Sequence, residues 1–278
     1  MTSFIDGGLG PQAPAGPGQS PGLPSYPLPH DLLAGRTVLV TAAAGTGIGF
    51  AVARRAAEEG ATLLISDIHE RRLNEAADRI EAAVGKRPFV QLCDVTVEAQ
   101  IQVLRDAAYE ALGGVDVLIN NAGLGGEAPV VDMTDAQWHR VLDVTLTSVF
   151  RMTRAFLPGM YARRSGVIVN NASVLAWRAQ KGQAHYAAAK AGVMAFTRCT
   201  ALEAAEYGVR INAVAPSLAM HPFLAKVTTE ETLARLTEKE AFGRPAEVWE
   251  VANVMIFLAC HLSSYMTGEI VSVSSQRA

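Results

Sequence analysis

The sequence predicts an α/β fold: a single doubly wound domain on a mainly parallel, seven-stranded sheet with helices on both faces. Three observations carry this. From residue 35 onward, short β-rich apolar runs alternate with longer helical stretches; the runs are apolar on both faces; and a glycine-rich turn follows the first of them. Strands buried on both faces and separated by helices need a parallel sheet covered on each side.

The elements follow in order. Thr37–Val40, Thr62–Ser66, Pro88–Leu92, Val115–Ile119, Gly166–Asn170 and Gly208–Val214 are short runs rich in β-branched and apolar residues, and read as strands. Gly268–Val273 makes the seventh. Between them, Ile48–Glu59, Arg71–Val84, Glu98–Leu112, Asp135–Tyr161 and Ala184–Glu206 carry helical spacing and many alanines. Crossovers between parallel strands are taken as right-handed. No break in the alternation suggests a second domain, so residues 31–278 form one unit.

Residues 1–30 stand apart, holding seven of the thirteen prolines and six glycines. Pro removes backbone donors and Gly adds chain entropy, so a flexible tail is expected, with a specific docking arm as the alternative. Elsewhere half the chain is hydrophobic and 18% charged, enough for a large core. A net charge of −3 gives no electrostatic case for nucleic acid or for an anionic membrane. Cys93, Cys199 and Cys260 are odd in number and fit no metal-ligand spacing; they read as thiols of a reducing compartment. The apolar stretch Val251–Leu262 is shorter than the roughly 20 residues of a membrane span. No basic region followed by an apolar block opens the chain, so a cytoplasmic location is expected.

The first strand runs into Thr41-Ala42-Ala43-Ala44-Gly45-Thr46-Gly47-Ile48-Gly49, and a helix follows. A pyrophosphate needs backbone N–H groups and the positive end of a helix close to it, and glycine permits that approach. Position between strand and helix makes this a Rossmann-type nucleotide turn; the alternative is a turn that only packs strand on helix. Asp67 ends the second strand roughly 20 residues later, where a carboxylate can accept from an adenosine ribose diol and repel a 2′-phosphate. Ile68 and His69 follow it rather than Arg or Lys, which favours NAD over NADP; Asp67 can also be a helix N-cap. Asp94 and Val95, after the third strand, face the adenine end. Asn120, Asn121, Ala122 and Gly123, after the fourth, border the same cleft, with an asparagine tie between loops as the alternative.

Tyr186 and Lys190 lie four apart in a helical run, one turn apart on one face. An ammonium at ~5 Å, with an effective dielectric of ~20, favours phenolate by roughly 3 kcal/mol, about two pKa units. The spacing alone is common on helix surfaces. Ser173, thirteen residues upstream after the fifth strand, adds a hydroxyl that can hold a substrate oxygen.

These residues, together with Asn212-Ala213-Val214-Ala215-Pro216 and Thr267-Gly268, resemble the short-chain dehydrogenases/reductases over residues 35–272. The resemblance implies that Tyr186 is the general acid/base, that Lys190 lowers its pKa and holds the nicotinamide ribose, and that Ser173 polarises the reacting C–O. It also implies that Pro216 lies beside the nicotinamide. Four positions depart from the family pattern. The glycine turn has one extra residue and alanine at the usual first glycine; Thr145 stands where a fourth catalytic residue, Asn, is usual; Ser217 replaces the Gly after Pro216; and Ser274-Ser275-Gln276 replaces Asp-Gly-Gly. The turn, Asn170–Gln180 and Ala204–Val214 are similar to a narrower group, the actinobacterial dehydrogenases that act on the propionyl-CoA form of the bicyclic steroid C/D-ring fragment.

The resemblance makes residues 216–243 a lid over the nicotinamide. Leu175, Trp177 and Met220 are candidate walls for a bulky substrate, with Phe223 and Leu224 in the lid, although each can equally be ordinary packing. Arg178, Lys181 and Lys226 are either contacts to a CoA phosphate or solvated surface charge. His185 is expected to point off the catalytic face. The family's long helices imply a homotetramer through Asp135–Tyr161 and Ala184–Glu206. The leading expectation is an NAD(H)-linked oxidoreductase acting on a small alcohol or ketone, CoA-linked; the alternatives are a 3-oxoacyl thioester reductase and a nucleotide-binding scaffold without turnover.

Overall fold

Runs that are apolar on both faces form the central strands of the set β1 (Thr37–Thr41), β2 (Thr62–Asp67), β3 (Phe89–Leu92), β4 (Val117–Asn120), β5 (Gly166–Asn171), β6 (Val209–Pro216), β7 (Ala219–Met220), β8 (Ala246–Glu247) and β9 (Ile270–Val273). The helices of this computed structural model, which describes residues 23–221 and 229–276, are α1 (Ile48–Glu58), α2 (Glu70–Val84), α3 (Glu98–Leu112), α4 (Asp135–Leu142), α5 (Ser148–Arg163), α6 (Ala184–Ala205), α7 (Glu230–Thr237) and α8 (Val248–Ala259). Seven strands pair in the order β3-β2-β1-β4-β5-β6-β9. Every neighbouring pair is parallel. The order reverses between β1 and β4, and their carboxyl ends open the crevice in which such sheets hold ligands.

Alternation along the strands separates two cores. Val38, Val40, Ile65, Val117, Ile119 and Val169 point to the side of α1, α2 and α8, where they meet Phe50, Ala53, Ile80 and Met255. Leu39, Leu64, Leu118, Ile168 and Ile211 point to the other, against Ile101, Leu104, Phe156 and Met160. Successive strand side chains face opposite ways, so one run of four apolar residues serves both layers.

The expected helix Asp135–Tyr161 is broken. Between α4 and α5 the chain makes a five-residue π turn, Asp143–Thr147. Ser148 donates to the Val144 carbonyl at 2.7 Å within it. Val, Thr and Ser hold helices less well than Ala or Leu, and hydroxyls compete for backbone groups.

The stretch read as a tail is described from Leu23 onward. There the Arg55 guanidinium donates to the Pro27 and Leu28 carbonyls at 2.6 and 2.9 Å. Glu59 accepts from the His30 and Leu32 amides at 2.9 and 3.0 Å. Of the stretch 216–243, β7 pairs with β8 in parallel and α7 is capped by the Thr229 hydroxyl. Phe223, Leu224 and Lys226 lie outside the described residues.

Candidate functional site

β1 ends on Thr41, which is 1% exposed and ties the two strands at the reversal point. Its hydroxyl donates to the Ile119 carbonyl at 3.3 Å and accepts from the Asn121 and Ala122 amides at 3.0 and 3.2 Å. Asn121 Nδ2 returns to the Thr41 and Ala42 carbonyls at 3.3 and 3.1 Å. Gly49 packs under this corner: a Cβ there would lie 2.2 Å from the Ala42 oxygen and 2.4 Å from Asn121 Nδ2, so no other residue fits. Ala42, at the usual first-glycine position, has φ +51°, the left-handed region that costs an L-residue roughly 1–2 kcal/mol.

Gly45 and Gly47 differ from Gly49. Nothing lies within 4 Å of a Cβ built on either. Gly47 also occupies the N-cap position of α1, and no side chain caps that helix. Open space, free first-turn amides and no acidic residue in the first turn together fit a nucleotide pyrophosphate. Ile48 begins α1 beside it. Asp67 reaches the turn from β2: its Oδ2 accepts from the Ala44 amide and its Oδ1 from the His69 amide, both at 3.1 Å. The cap position of α2 belongs to His69, so the N-cap reading of Asp67 does not hold. Its carboxylate instead bridges the glycine turn and the carboxyl end of β2.

Asp94 closes its own turn, with Oδ1 accepting from the Thr96 amide and hydroxyl at 2.9 and 2.7 Å. The side chain of Val95 is buried in the core. Asn120 points inward, 2% exposed, and donates to Asn170 Oδ1 at 2.9 Å, while Asn170 donates to Thr197 at 2.9 Å. This ladder joins β4, β5 and α6, which is the loop-and-strand tie rather than a cleft-facing side chain. Ala122 is buried, and Gly123 abuts the chemical cluster: a Cβ there would be 3.3 Å from Lys190 Nζ.

The cluster forms where β5 and α6 meet. Ser173 follows β5, is 8% exposed, and accepts from the Leu175 amide at 3.2 Å. Its hydroxyl acts on the Tyr186 phenol in the direction that lowers its pKa. Lys190 is 2% exposed, donates to the Asn171 carbonyl at 2.5 Å, and has Nζ 5.6 Å from the centre of the Tyr186 ring. Ser173, Tyr186 and Lys190 are thus together, as expected. The electrostatics differ from the expectation. Burial raises the Tyr186 phenol above its ordinary value, and Ser173 only partly opposes this. Burial also lowers the Lys190 ammonium to about 7. Desolvation outweighs the attraction that spacing alone predicts, because the same burial that brings the cation close weakens its charge.

Thr145 lies in the π turn, fully buried. Its hydroxyl accepts from the Leu124 amide at 3.0 Å and donates to the Leu124 carbonyl at 3.1 Å. Its one proton is therefore engaged in bracing the loop after β4. Pro216 ends β6, and the next hydroxyl, Ser217 Oγ, is buried without a hydrogen-bond partner, as is Asn171 Oδ1. Unsatisfied polar atoms on this edge are what a bound polar ligand would pair.

On the substrate side, Trp177 is 52% exposed, whereas Leu175 and Met220 are partly buried. Arg178 donates to Gln276 Oε1. Gln276 and Ser275 in turn donate to the buried Glu240 carboxylate. Lys181 is exposed. His185 is buried against Gly126, 3.3 Å from where its Cβ would stand. Among the described residues, no group of three His, Cys, Asp or Glu could hold a metal, and no helix is long and apolar enough to cross a membrane. Sequence reasoning missed Arg79, whose guanidinium donates to the Gly45 carbonyl at 3.0 Å from α2. An exposed arginine on a helix carries no pattern that would single it out.

Comparisons with known proteins bear on this site. A family model described as enoyl-(acyl carrier protein) reductase matches residues 42–275. A relative from Mycobacterium tuberculosis, named (5R,7aS)-5-hydroxy-7a-methyl-1-oxo-2,3,5,6,7,7a-hexahydro-1H-indene-carboxyl-CoA reductase, is 62% identical over 89% of this chain and 95% of its own. A 3-oxoacyl-(acyl-carrier-protein) reductase from Thermotoga maritima is 38% identical over 87% and 97%. The crystal structure of a short chain dehydrogenase from Mycobacterium smegmatis superposes with a TM-score of 0.81 at 57% identity, covering 92% of this chain and 98% of that one.

Proposed function

The chain belongs to the short-chain dehydrogenase/reductase family of oxidoreductases, and from that premise we propose that it interconverts a secondary alcohol and a ketone with NAD(H), on a bicyclic steroid-derived CoA thioester. The observation that carries the chemical part is the meeting of Ser173, Tyr186 and Lys190 beside Gly123. Asp67 at the end of β2, with no Arg or Lys directly after it, supports NAD. The resemblance of Asn170–Gln180 and Ala204–Val214 to steroid-fragment dehydrogenases, and the 62% identity to an indene-carboxyl-CoA reductase, support the substrate class.

When bound, the nicotinamide supplies the hydride acceptor or donor. This chain's residues do the rest. Ser173 donates a hydrogen bond to the substrate oxygen and fixes it beside the Tyr186 phenol. In oxidation the phenolate takes the hydroxyl proton as the carbinol C–H bond breaks and the C=O bond forms; in reduction the phenol returns that proton to oxygen. Lys190, as an ammonium, stabilises the phenolate and holds the nicotinamide ribose. Thr145 holds the Leu124 peptide, and with it the loop carrying Gly123.

Cys93, Cys199 and Cys260 are free thiols, in keeping with a cytoplasmic location. Phe150, 41% exposed on α5, and Leu202, 75% exposed on α6, support assembly into a homotetramer through those helices. The test of function is the initial rate of nicotinamide reduction, NADH from NAD and NADPH from NADP in parallel, on the hydroxy-indanone CoA thioester, a 3-hydroxyacyl-CoA and a simple hydroxysteroid. The expected order puts the first substrate with NAD highest. A higher kcat/KM on 3-hydroxyacyl-CoA would replace this reading with the fatty-acyl one, and no turnover of any would leave a nucleotide-binding scaffold.

A further inference from the structure

The enlarged glycine turn poses a mechanical problem. Its additional length includes Gly45, at φ +96°, and no protein atom lies within 4 Å of a Cβ built on Gly45 or Gly47. Side-chain packing therefore does not hold the Gly45–Gly47 part of the turn in shape. The Ala43 side chain is buried in the core and its amide donates to the Ser66 carbonyl at 3.1 Å, and beyond it two polar contacts hold the outer part. Asp67 Oδ2 accepts from the Ala44 amide at 3.1 Å on one side. On the other, Arg79 Nη1 reaches across from α2 and donates to the Gly45 carbonyl at 3.0 Å.

Arg79 is itself anchored. Its guanidinium carbon lies 3.9 Å from the centre of the Phe50 ring, at the start of α1. Phe50 is 6% exposed and belongs to the core, so the guanidinium sits over a fixed surface. The guanidinium is thus engaged both with the ring and, through Nη1, with the loop carbonyl. The peptide that follows Gly45 is trans, as all described peptides are. In a trans peptide the C=O and the next N–H point in opposite directions. Drawing the Gly45 oxygen toward α2 therefore turns the Thr46 amide away from α2.

We propose that Arg79 is a positioning residue for the nucleotide phosphates: stacked on Phe50, it fixes the Gly45–Thr46 peptide so that the Thr46 amide stays available to an anion at the N-terminus of α1. This rests on the reading of the turn as a dinucleotide site. The role needs a planar fork, since an ammonium can neither lie flat on the ring nor donate along an edge in the same way. Lysine is therefore a poor substitute, although it keeps the charge.

The test compares wild type, Arg79→Ala and Arg79→Lys. Amide hydrogen exchange across residues 42–49 is measured without nucleotide, and binding of NADH, NADPH and ADP by titration calorimetry. Both variants are expected to exchange faster at residues 44–47, with melting temperatures near wild type. Both are expected to bind NADH and ADP about 5–20-fold more weakly, the size of one or two lost hydrogen bonds. Unchanged exchange or unchanged affinity in Arg79→Ala overturns the proposal. Wild-type affinity in Arg79→Lys overturns it in favour of plain charge attraction. A loss larger for NADPH than for NADH overturns it in favour of a direct 2′-phosphate contact. If wild type itself binds neither NADH nor ADP, the dinucleotide reading fails, whereas the exchange measurement still decides whether Arg79 braces the turn.

Discussion

The corner around Thr41 and the cluster around Tyr186 lie on the same edge of the sheet and are held by opposite means. At the corner, Thr41, Asp67 and Asn121 give their polar atoms to backbone groups of neighbouring strands and turns. Each such bond contributes roughly 1 kcal/mol, and the arrangement is self-consistent with or without a ligand. At the cluster, folding desolvates two ionisable groups: Tyr186 is pushed up and Lys190 down to about 7. Neither shift serves the fold. Stability and activity therefore run together at the corner and against each other at the cluster.

Three substitutions break or sharpen that contrast. The largest effect is expected from Tyr186→Phe, which removes one hydroxyl and with it the proton carrier. A fall of about 10³-fold in kcat/KM is expected, in the range for general acid–base groups, with NADH affinity and Tm retained. Turnover near wild type would remove Tyr186 from the mechanism.

Lys190→Met should lower turnover by less than Tyr186→Phe does and stabilise the fold, which distinguishes the cluster from the corner. In wild type the folded-state value is about 7 against an ordinary 10.5, so between these values the unfolded chain holds a proton that the folded chain lacks. Stability accordingly rises with pH across that window, and below about pH 7 the full cost of a buried ammonium is present. The Met variant is expected to gain on the order of 2 kcal/mol, or roughly 4–8 °C in Tm, at pH 6. The gain should shrink toward pH 10. Thermal melts of both proteins across pH 6–10 measure it, and a gap that is constant or grows with pH contradicts a depressed lysine.

The smallest effect belongs to Ala42→Gly at the corner. Removing the left-handed strain gains roughly 1–2 kcal/mol, and the greater freedom of glycine in the unfolded chain offsets about half. A net stabilisation near ~0.5 kcal/mol, with activity kept, is expected from denaturant titration. Destabilisation would mean that the Ala42 methyl packs more than its backbone angle costs.

How much of this was legible in the sequence follows the same division. The strands could be read because runs such as Thr37–Val40 are apolar on both faces, and the nucleotide turn because its glycines stand between a strand and a helix. Tyr186, Lys190 and Ser173 were found through spacing and family resemblance, and they do meet. Their electrostatics were not legible: four residues along a helix gives a distance, but not the depth of burial that decides which way a phenol titrates. Asn120 looked like a cleft residue because it stands at a strand end, yet its side chain turns into the core. The π turn was hidden because the apolar periodicity of Asp135–Tyr161 continues on both sides of it. Only Val144, Thr145, Thr147 and Ser148, four poor helix formers interrupted by Leu146 alone, hinted at it. Arg79 left no trace, since its role depends on which ring and which carbonyl the fold places beside α2.

The π turn at Asp143–Thr147 also constrains how this chain can change length. A π turn holds one more residue than the α-helical turn it interrupts. Deleting a single codon there would leave one ordinary turn and keep the α5 side chains on their present faces, whereas a deletion inside α5 would rotate every later side chain by about 100°. After a deletion at the start of α5, Phe156 and Met160, now 1% and 0% exposed against the sheet, would swing off it. The π turn should therefore absorb the loss of one residue without turning α5 off the sheet, which the regular helices on either side of it would not.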